Sequence, residues 1–179
     1  MPRTRPELNR EDKMAEILAV AERQLREGGF EALSMIGIAR ELGLAQNAIY
    51  WYFPSRSELF VAVMRRMLEG IAARKPRGEK DLVTRILWWT DQFAPLYSLR
   101  ATMQEQARES QVIAGFVQDL DDLLDRMLAN AFRSRVPDDQ LAAAIESFRS
   151  TVTGTYVQNL APRHRREILT FSLNRLLAA

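Results

Sequence analysis

The chain has 179 residues, of which 47% are apolar and 27% charged, with 25 basic side chains against 23 acidic ones. This composition can fill the core of one large domain or of a small domain packed on a larger one. The absence of cysteine excludes a disulfide framework and a thiolate metal site. The polar start and the lack of a long apolar run predict a cytoplasmic protein without a signal peptide or membrane span.

A short basic arm over residues 1–10 precedes the first predicted helix, and it either adds DNA contacts or forms a disordered tail. Residues 1–60 carry eight basic and nine acidic side chains, so this region is not basic overall. Three- and four-residue apolar spacing then predicts an amphipathic helix that ends at Gly28 and Gly29. The residues on its apolar side are Met14, Ile17, Leu18, Ala21 and Leu25.

The next segment has the spacing of a helix-turn-helix motif. Ser34 is placed to cap a short helix that runs to Leu42, and Gly43 follows where a left-handed residue would turn the chain. Leu44 and Ile49 then supply the inward side of a second short helix. An ordinary helical hairpin is the alternative explanation for these residues.

Four consecutive aromatic residues, at positions 50–53, end this second helix. On a wheel of about 100° per residue, the inward residues are Ala45, Ala48, Ile49 and Tyr52, the outward residues are Gln46, Asn47 and Tyr50, and Trp51 lies at the edge. Amide side chains pair with adenine, aromatic edges suit the thymine methyl group, and hydroxyl or guanidinium groups reach phosphates. The predicted DNA-contacting residues are Ser34, Gln46, Asn47, Tyr50, Trp51, Tyr52 and Arg56, with Phe53 and part of Tyr52 in the core.

The rest of the chain also has helical periodicity and no strand signal, which predicts an all-α fold. A capping box at Ser55 and Glu58 opens one helix. Prolines divide the remainder, and the longest helix is predicted over residues 108–133. Four aspartates on that helix, at positions 119–125, are interpreted as a solvated face rather than a metal site.

The segment "SMIGIARELGLAQNAIYWYFPSRSELF" resembles the N-terminal domain of TetR-type (tetracycline-repressor-like) transcriptional regulators. The likeness rests on Ile38-Ala39, Gly43, Ile49-Tyr50, Tyr52-Phe53, Ser55-Arg56 and Glu58-Leu59. The chain departs from the family at Ala45 and Ala48, where Ser or Thr is frequent, and at Arg56, where Lys is common.

This resemblance implies a three-helix helix-turn-helix DNA-binding domain over residues 1–54 and a helical effector-binding and dimerisation bundle over residues 55–179. The implied protein is a homodimeric, sequence-specific transcriptional regulator, a repressor released from a near-palindromic operator by a small-molecule effector. The sequence itself has no phosphate-binding glycine loop, nucleophile elbow or zinc signature, so no cofactor, metal or enzymatic activity is predicted. The only histidine, His164, has no catalytic partner in the sequence pattern and is interpreted as a surface residue.

The last two helices are the predicted dimer interface. Residues 139–160 have an apolar stripe on one side and small residues on the other, although a helix central in a monomeric bundle has the same pattern. The predicted interface residues are Ala143, Ser147, Ser150, Gly154, Ile168 and Phe171.

A ligand pocket is predicted from aromatic, methionine and amide residues, for each of which core packing is the alternative. These residues are Trp88, Gln92, Tyr97, Met103, Phe116, Met127 and Phe148, whereas Trp89 is assigned to the core. No signal names the class of ligand. The rival function is a helical small-molecule-binding or interaction protein that has lost specific DNA binding, which Ala45, Ala48 and the near-neutral N-terminal region favour.

Overall fold

The computed structural model describes residues 5–74 and 81–178, and within these ranges it contains helices and no strands. In chain order the elements are α1 (Arg5–Ala32), α2 (Met35–Glu41), a 3₁₀ helix (Ala48–Trp51), α3 (Arg56–Ala72), α4 (Leu82–Gln92), α5 (Ala94–Ser98), α6 (Arg100–Gln106), α7 (Gln111–Phe132), α8 (Asp138–Val157) and α9 (Pro162–Leu176). The predicted all-α class is confirmed. No helix in the described ranges is long and apolar enough to cross a lipid bilayer.

The chain forms two compact units, and each combines separate stretches of sequence. The first contains the described residues up to Gly70 together with Thr102–Phe116, and the second contains the described residues of 71–101 and 117–179. Most of α3 therefore belongs to the first unit. The predicted division at residue 54 is a functional boundary and stays a prediction.

The first helix starts within the predicted arm and is broken near its end. Residues 5–10 form the first turns of α1, while residues 1–4 of the arm lie outside the described residues. Gly28 and Gly29 leave helical geometry, with a φ of 67° at Gly29, so the predicted end of the first helix is confirmed. The buried side of α1 comprises Ile17, Val20, Ala21 and Leu25.

A tight turn at Gly43 ends α2. The φ of Gly43 is 63°, which lies in the left-handed region as the sequence predicts. Leu44 N donates to Ala39 O at 2.8 Å, and Gly43 N donates to Arg40 O at 3.2 Å. These two bonds form a Schellman motif, which satisfies the last carbonyl groups of α2 and turns the chain away from the helix axis.

The second helix of the motif is a single 3₁₀ turn rather than the predicted α-helix. Ala48 N donates to Ala45 O at 2.8 Å, and Tyr50 N donates to Asn47 O at 3.3 Å. A 3₁₀ helix advances about 120° per residue, so the α-helical wheel is an imperfect guide here. It is wrong for Ala45, which is exposed instead of facing inward.

The second unit has an apolar core of its own. Its buried members are Ile86, Leu87, Phe132, Val136, Ala144, Phe148, Val152, Leu169 and Leu173. The carboxylate of Asp81 caps α4 by accepting a hydrogen bond from Thr84 N at 3.0 Å, and hydrogen bonding to Thr84 lowers the pKa of this carboxyl. The predicted long helix is α7, slightly shorter than the predicted range of 108–133.

We expect Gly43→Ala to lower the free energy of unfolding by about 1–2 kcal/mol, because a Cβ strains left-handed backbone. Gly115, within α7, is the matched control, since an added Cβ there meets no atom within 4 Å and its φ is not positive. Gly115→Ala should raise the free energy of unfolding by about 0.5–1 kcal/mol. Urea unfolding of both variants tests this, and a neutral Gly43→Ala would contradict the role of the turn.

Candidate functional site

The aromatic run at residues 50–53 divides between the core and the surface of the first unit. Ile49 is fully buried and Phe53 is 4% exposed, so these two side chains anchor the segment. Trp51 is 83% exposed and Tyr50 is 45% exposed, while Tyr52 is half-buried. This burial agrees with the predicted sorting of the run. Large aromatic side chains exposed together are characteristic of a binding surface.

Polar groups accompany the exposed aromatic pair. Gln46 and Asn47 are exposed just before the 3₁₀ helix. Ser34 caps α2 by accepting a hydrogen bond from Gly37 N at 3.0 Å, and its own amide donates to Gln24 Oε1 at 3.0 Å. A serine hydroxyl that accepts in this way still has a hydrogen to donate to an outside acceptor such as a phosphate oxygen.

Ile36 is an exposed apolar residue of the same motif that the sequence interpretation missed. It is 43% exposed on α2, whose buried residues include Met35 and Ile38. The helical spacing of those buried residues leaves Ile36 on the outward side, so a wheel of α2 could have identified it. An exposed aliphatic side chain at this place suits apolar contact with a base methyl group or a sugar.

Arg56 differs from the other predicted DNA-contacting residues because its guanidinium is bound within the first unit. Its Nη2 donates to the backbone oxygen of Phe30 and lies 3.4 Å from Glu31 Oε2. The guanidinium also stacks over the Phe30 ring, 4.1 Å from the centroid, and this ring packs edge-on against Phe60. Arg56 therefore ties the start of α3 to the end of α1.

Three of the predicted pocket residues lie in hydrophobic cores. Met103 and Phe116 are 1% and 2% exposed in the first unit, while Phe148 is 2% exposed in the second. Core packing, the alternative interpretation, explains all three. The assignment of the predicted set to one ligand pocket stays a prediction.

The pocket candidates on α4 and α5 contact neighbours in the second unit. Gln92 Oε1 accepts a hydrogen bond from Arg74 Nη1 at 3.1 Å. Tyr97 stacks on Tyr156 with ring centroids 5.0 Å apart, and burial raises the pKa of Tyr97 to about 12. Trp88 is half-buried on α4. These contacts give Gln92 and Tyr97 structural roles.

A surface groove of about 280 Å³ lies between α4 and α7. Its lining residues are Arg85, Ile86, Trp89, Met127, Leu128, Asn130 and Ala131. Met127 is the one predicted pocket residue among them. Trp89, which the sequence assigns to the core, lines this groove, whereas Trp88 is not among its lining residues. The pocket role of Trp88 stays a prediction.

Ion pairs join the start of α6 to α7 and α8. Arg100 donates to both carboxylate oxygens of Asp121, at 2.8 and 3.0 Å. Arg149 donates to Asp121 at 2.9 Å and to Asp125 at 2.7 Å. The acidic stretch of α7 is thus only partly a solvated face, because two of its aspartates hold arginines from other helices.

One side of α8 is buried and the other carries small, accessible residues. Phe148 and Val152 face the core. Ala143, Ser147 and Ser150 are exposed, Gly154 and Ile168 are half-buried, and Phe171 on α9 is 65% exposed. Val157, which the sequence interpretation did not include, is 78% exposed at the end of α8. Small residues beside exposed apolar ones form a surface that suits a partner helix.

Comparisons with known proteins agree with this arrangement. The family described as "Bacterial regulatory proteins, tetR family" matches residues 17–63. The HTH-type transcriptional repressor KstR of Rhodococcus jostii (strain RHA1) is 30% identical over 162 residues, which span 83% of this chain and 72% of that protein.

Solved structures show the same fold at lower identity. A transcriptional regulator from Saccharomonospora viridis, in complex with choline, is 18% identical, with a TM-score of 0.76 over 92% of this chain and 96% of that one. BioQ with its double-stranded DNA operator is 21% identical, with a TM-score of 0.64 over 93% of this chain and 98% of that one.

We expect Arg56→Gln to lower the free energy of unfolding by about 1–2 kcal/mol, because it removes a charged hydrogen bond and a ring stack. The dependence of duplex affinity on salt should not change, since a guanidinium bound within the protein neutralises no phosphate. Urea unfolding and a salt series of duplex titrations measure the two effects. A salt slope reduced by about one would place Arg56 on a phosphate instead.

Proposed function

Because the chain belongs to the TetR family of bacterial regulatory proteins, which regulate transcription and are not enzymes, we propose that it binds a near-palindromic DNA operator as a homodimer and is released by a small molecule. The observation that carries this proposal is the exposed pair Tyr50 and Trp51, held outward by the buried anchors Ile49 and Phe53. Packing of the protein interior does not require two adjacent aromatic side chains that are this exposed. At a DNA interface, such side chains would contact the DNA.

The proposed DNA-facing residues would make different kinds of contact with DNA, according to their chemistry. Gln46 and Asn47 can each pair with the edge of an adenine, and Tyr50 and Trp51 offer aromatic surface to thymine methyl groups. The hydroxyls of Ser34 and of the half-buried Tyr52 would donate to phosphates and fix the register. Arg56 does not belong to this set because its guanidinium is bound by residues at the end of α1. The likeness in fold to BioQ, solved with its operator, supports duplex DNA as the partner.

The proposed homodimer forms through α8 and α9. Small exposed residues on α8 let a partner helix approach closely, and association would remove Val157 and Phe171 from water. The proposed contact residues are Ala143, Ser147, Ser150, Gly154, Ile168 and Phe171. A dimer would present two DNA-facing segments, and successive major grooves require them about 34 Å apart. A near-palindromic operator follows from this two-fold symmetry.

The effector response is assigned to the second unit. An effector can shift operator affinity only by the ratio of its affinities for the DNA-binding form and the released form. The fold shared with a regulator solved with choline supports a small-molecule ligand. The groove between α4 and α7 is the place we propose for it.

Selection of duplexes from a random library at about 100 mM salt tests the DNA-binding function. We expect an enriched near-palindrome whose log affinity falls linearly with log salt. If no sequence were enriched and binding stayed weak at low salt, the alternative would hold: a helical small-molecule-binding protein that has lost specific DNA binding. The alanines at positions 45 and 48 and the near-neutral N-terminal region are the features that favour that outcome.

We expect Tyr50→Ala to weaken binding to the selected operator about ten-fold or more, because one lost base or phosphate contact costs about 1–3 kcal/mol. Its urea unfolding midpoint and dimer mass should match the wild type, since the side chain is 45% exposed. Val112→Ala is the control, because Val112 is also partly exposed, at 38%, but lies on α7. Equal operator affinity for wild type and Tyr50→Ala would refute the assignment.

Gly154→Leu is expected to convert the dimer to a monomer without unfolding it. An added Cβ at Gly154 meets no atom within 4 Å in the single chain, so its bulk would project toward a partner helix. Gly115→Leu is the control, at a second helical glycine with the same open space. Sedimentation equilibrium measures the mass of each variant, and a Gly154→Leu dimer as stable as the wild type would contradict the proposed interface.

A further inference from the structure

The groove between α4 and α7 has an apolar wall with a polar rim. The apolar lining residues are Ile86, Trp89, Met127, Leu128 and Ala131, and the polar ones are Arg85 and Asn130. An indole ring and a thioether form a surface that favours flat, polarisable groups. At about 280 Å³ the groove is at the small end of ligand sites, so a compound of one or two rings would fit.

Arg85 brings a positive charge to this groove, and none of the described residues supplies it with a counter-charge. Within the described residues its exposed guanidinium forms no hydrogen bond or ion pair. Asp81, one turn earlier on the same side, uses its carboxylate to cap α4 through Thr84 N. By contrast, Arg100 and Arg149 in the same unit are held by aspartates. The charge of Arg85 is therefore available to a ligand.

We propose that this groove binds the effector and that the effector is a small compound with a flat apolar body and one carboxylate. The carboxylate would pair with the fork of Arg85, with the amide of Asn130 as a further donor, while the body packs on Trp89 and Met127. The lining residues include no acidic side chain, so a quaternary ammonium ligand would meet like charge and no counter-charge. The effector role in this inference rests on the proposed function.

Calorimetric titration of the full chain with 1-naphthaleneacetate and with its neutral isostere, 1-naphthaleneacetamide, tests the chemistry. We expect the acid to bind about ten-fold or more tightly than the amide, as a charge-assisted hydrogen bond implies. Arg85→Gln should remove this preference and leave amide binding unchanged. Arg126→Gln is the matched control, because Arg126 is an exposed arginine of α7 that does not line the groove.

Three results would overturn the inference: no binding of the acid at millimolar concentration, equal binding of acid and amide, or acid binding that survives Arg85→Gln. The effector role is tested by adding the acid to the complex with the selected operator. Release from wild type but not from Arg85→Gln is expected, and unchanged operator affinity would refute the role.

The two proposals fail separately in these experiments. A chain that selects an operator but binds no acid keeps the proposed function and loses the groove inference. A chain that binds the acid through Arg85 but selects no duplex keeps the binding site and loses the regulatory function.

Discussion

Gly43 turns the chain from α2 into the proposed DNA-facing segment, and the placement of the aromatic run depends on this turn. Its φ of 63° brings Leu44 N to 2.8 Å from Ala39 O, which sets the direction in which the chain leaves α2. Ile49 and Phe53 can then both be buried, four residues apart. Because they are anchored, the intervening Tyr50 and Trp51 must point away from the core. A backbone constraint at one glycine thus creates an exposed aromatic surface.

The parts of the motif that depend on local chemistry could be predicted from the sequence. The cap at Ser34, the turn at Gly43 and the cap at Ser55, whose Oγ accepts from Glu58 N at 3.1 Å, all involve residues close in sequence. The 3₁₀ turn after Ala45 was not predicted. A side-chain cap at the start of a helix satisfies its first amides, but the side chain of Asn47, which precedes the 3₁₀ helix, makes no such bond. The first amide bond instead goes to a carbonyl three residues back.

The pocket could not be predicted in the same way, because it depends on contacts between residues distant in sequence. Met103 and Phe116 are buried, whereas Met127 is accessible, because of the helix that lies opposite each of them. On a helical wheel the three residues look alike. Whether an arginine forms an ion pair also depends on which residues the fold places beside it. Arg100 meets Asp121 across 21 positions, whereas Arg85 has an aspartate only four positions away and does not pair with it. Availability for a ligand is therefore a property of the fold.

The ion pairs of the first unit also limit how it can hold DNA. Lys13 pairs with Glu16, Arg23 with Glu41 and Arg26 with Glu22, in addition to the internal contacts of Arg56. In each pair the carboxylate partly offsets the positive charge, which weakens the attraction of that cation to a phosphate. Non-specific binding to DNA depends on such cations, and its strength falls as fewer phosphates are neutralised. Because the first unit uses most of its described cations in such contacts, the proposed DNA complex would depend more strongly on base edges and aromatic contact. Base-edge and aromatic contacts distinguish one sequence from another, so the proposal explains weak attraction to random DNA and a strong preference for one operator by the same physical origin.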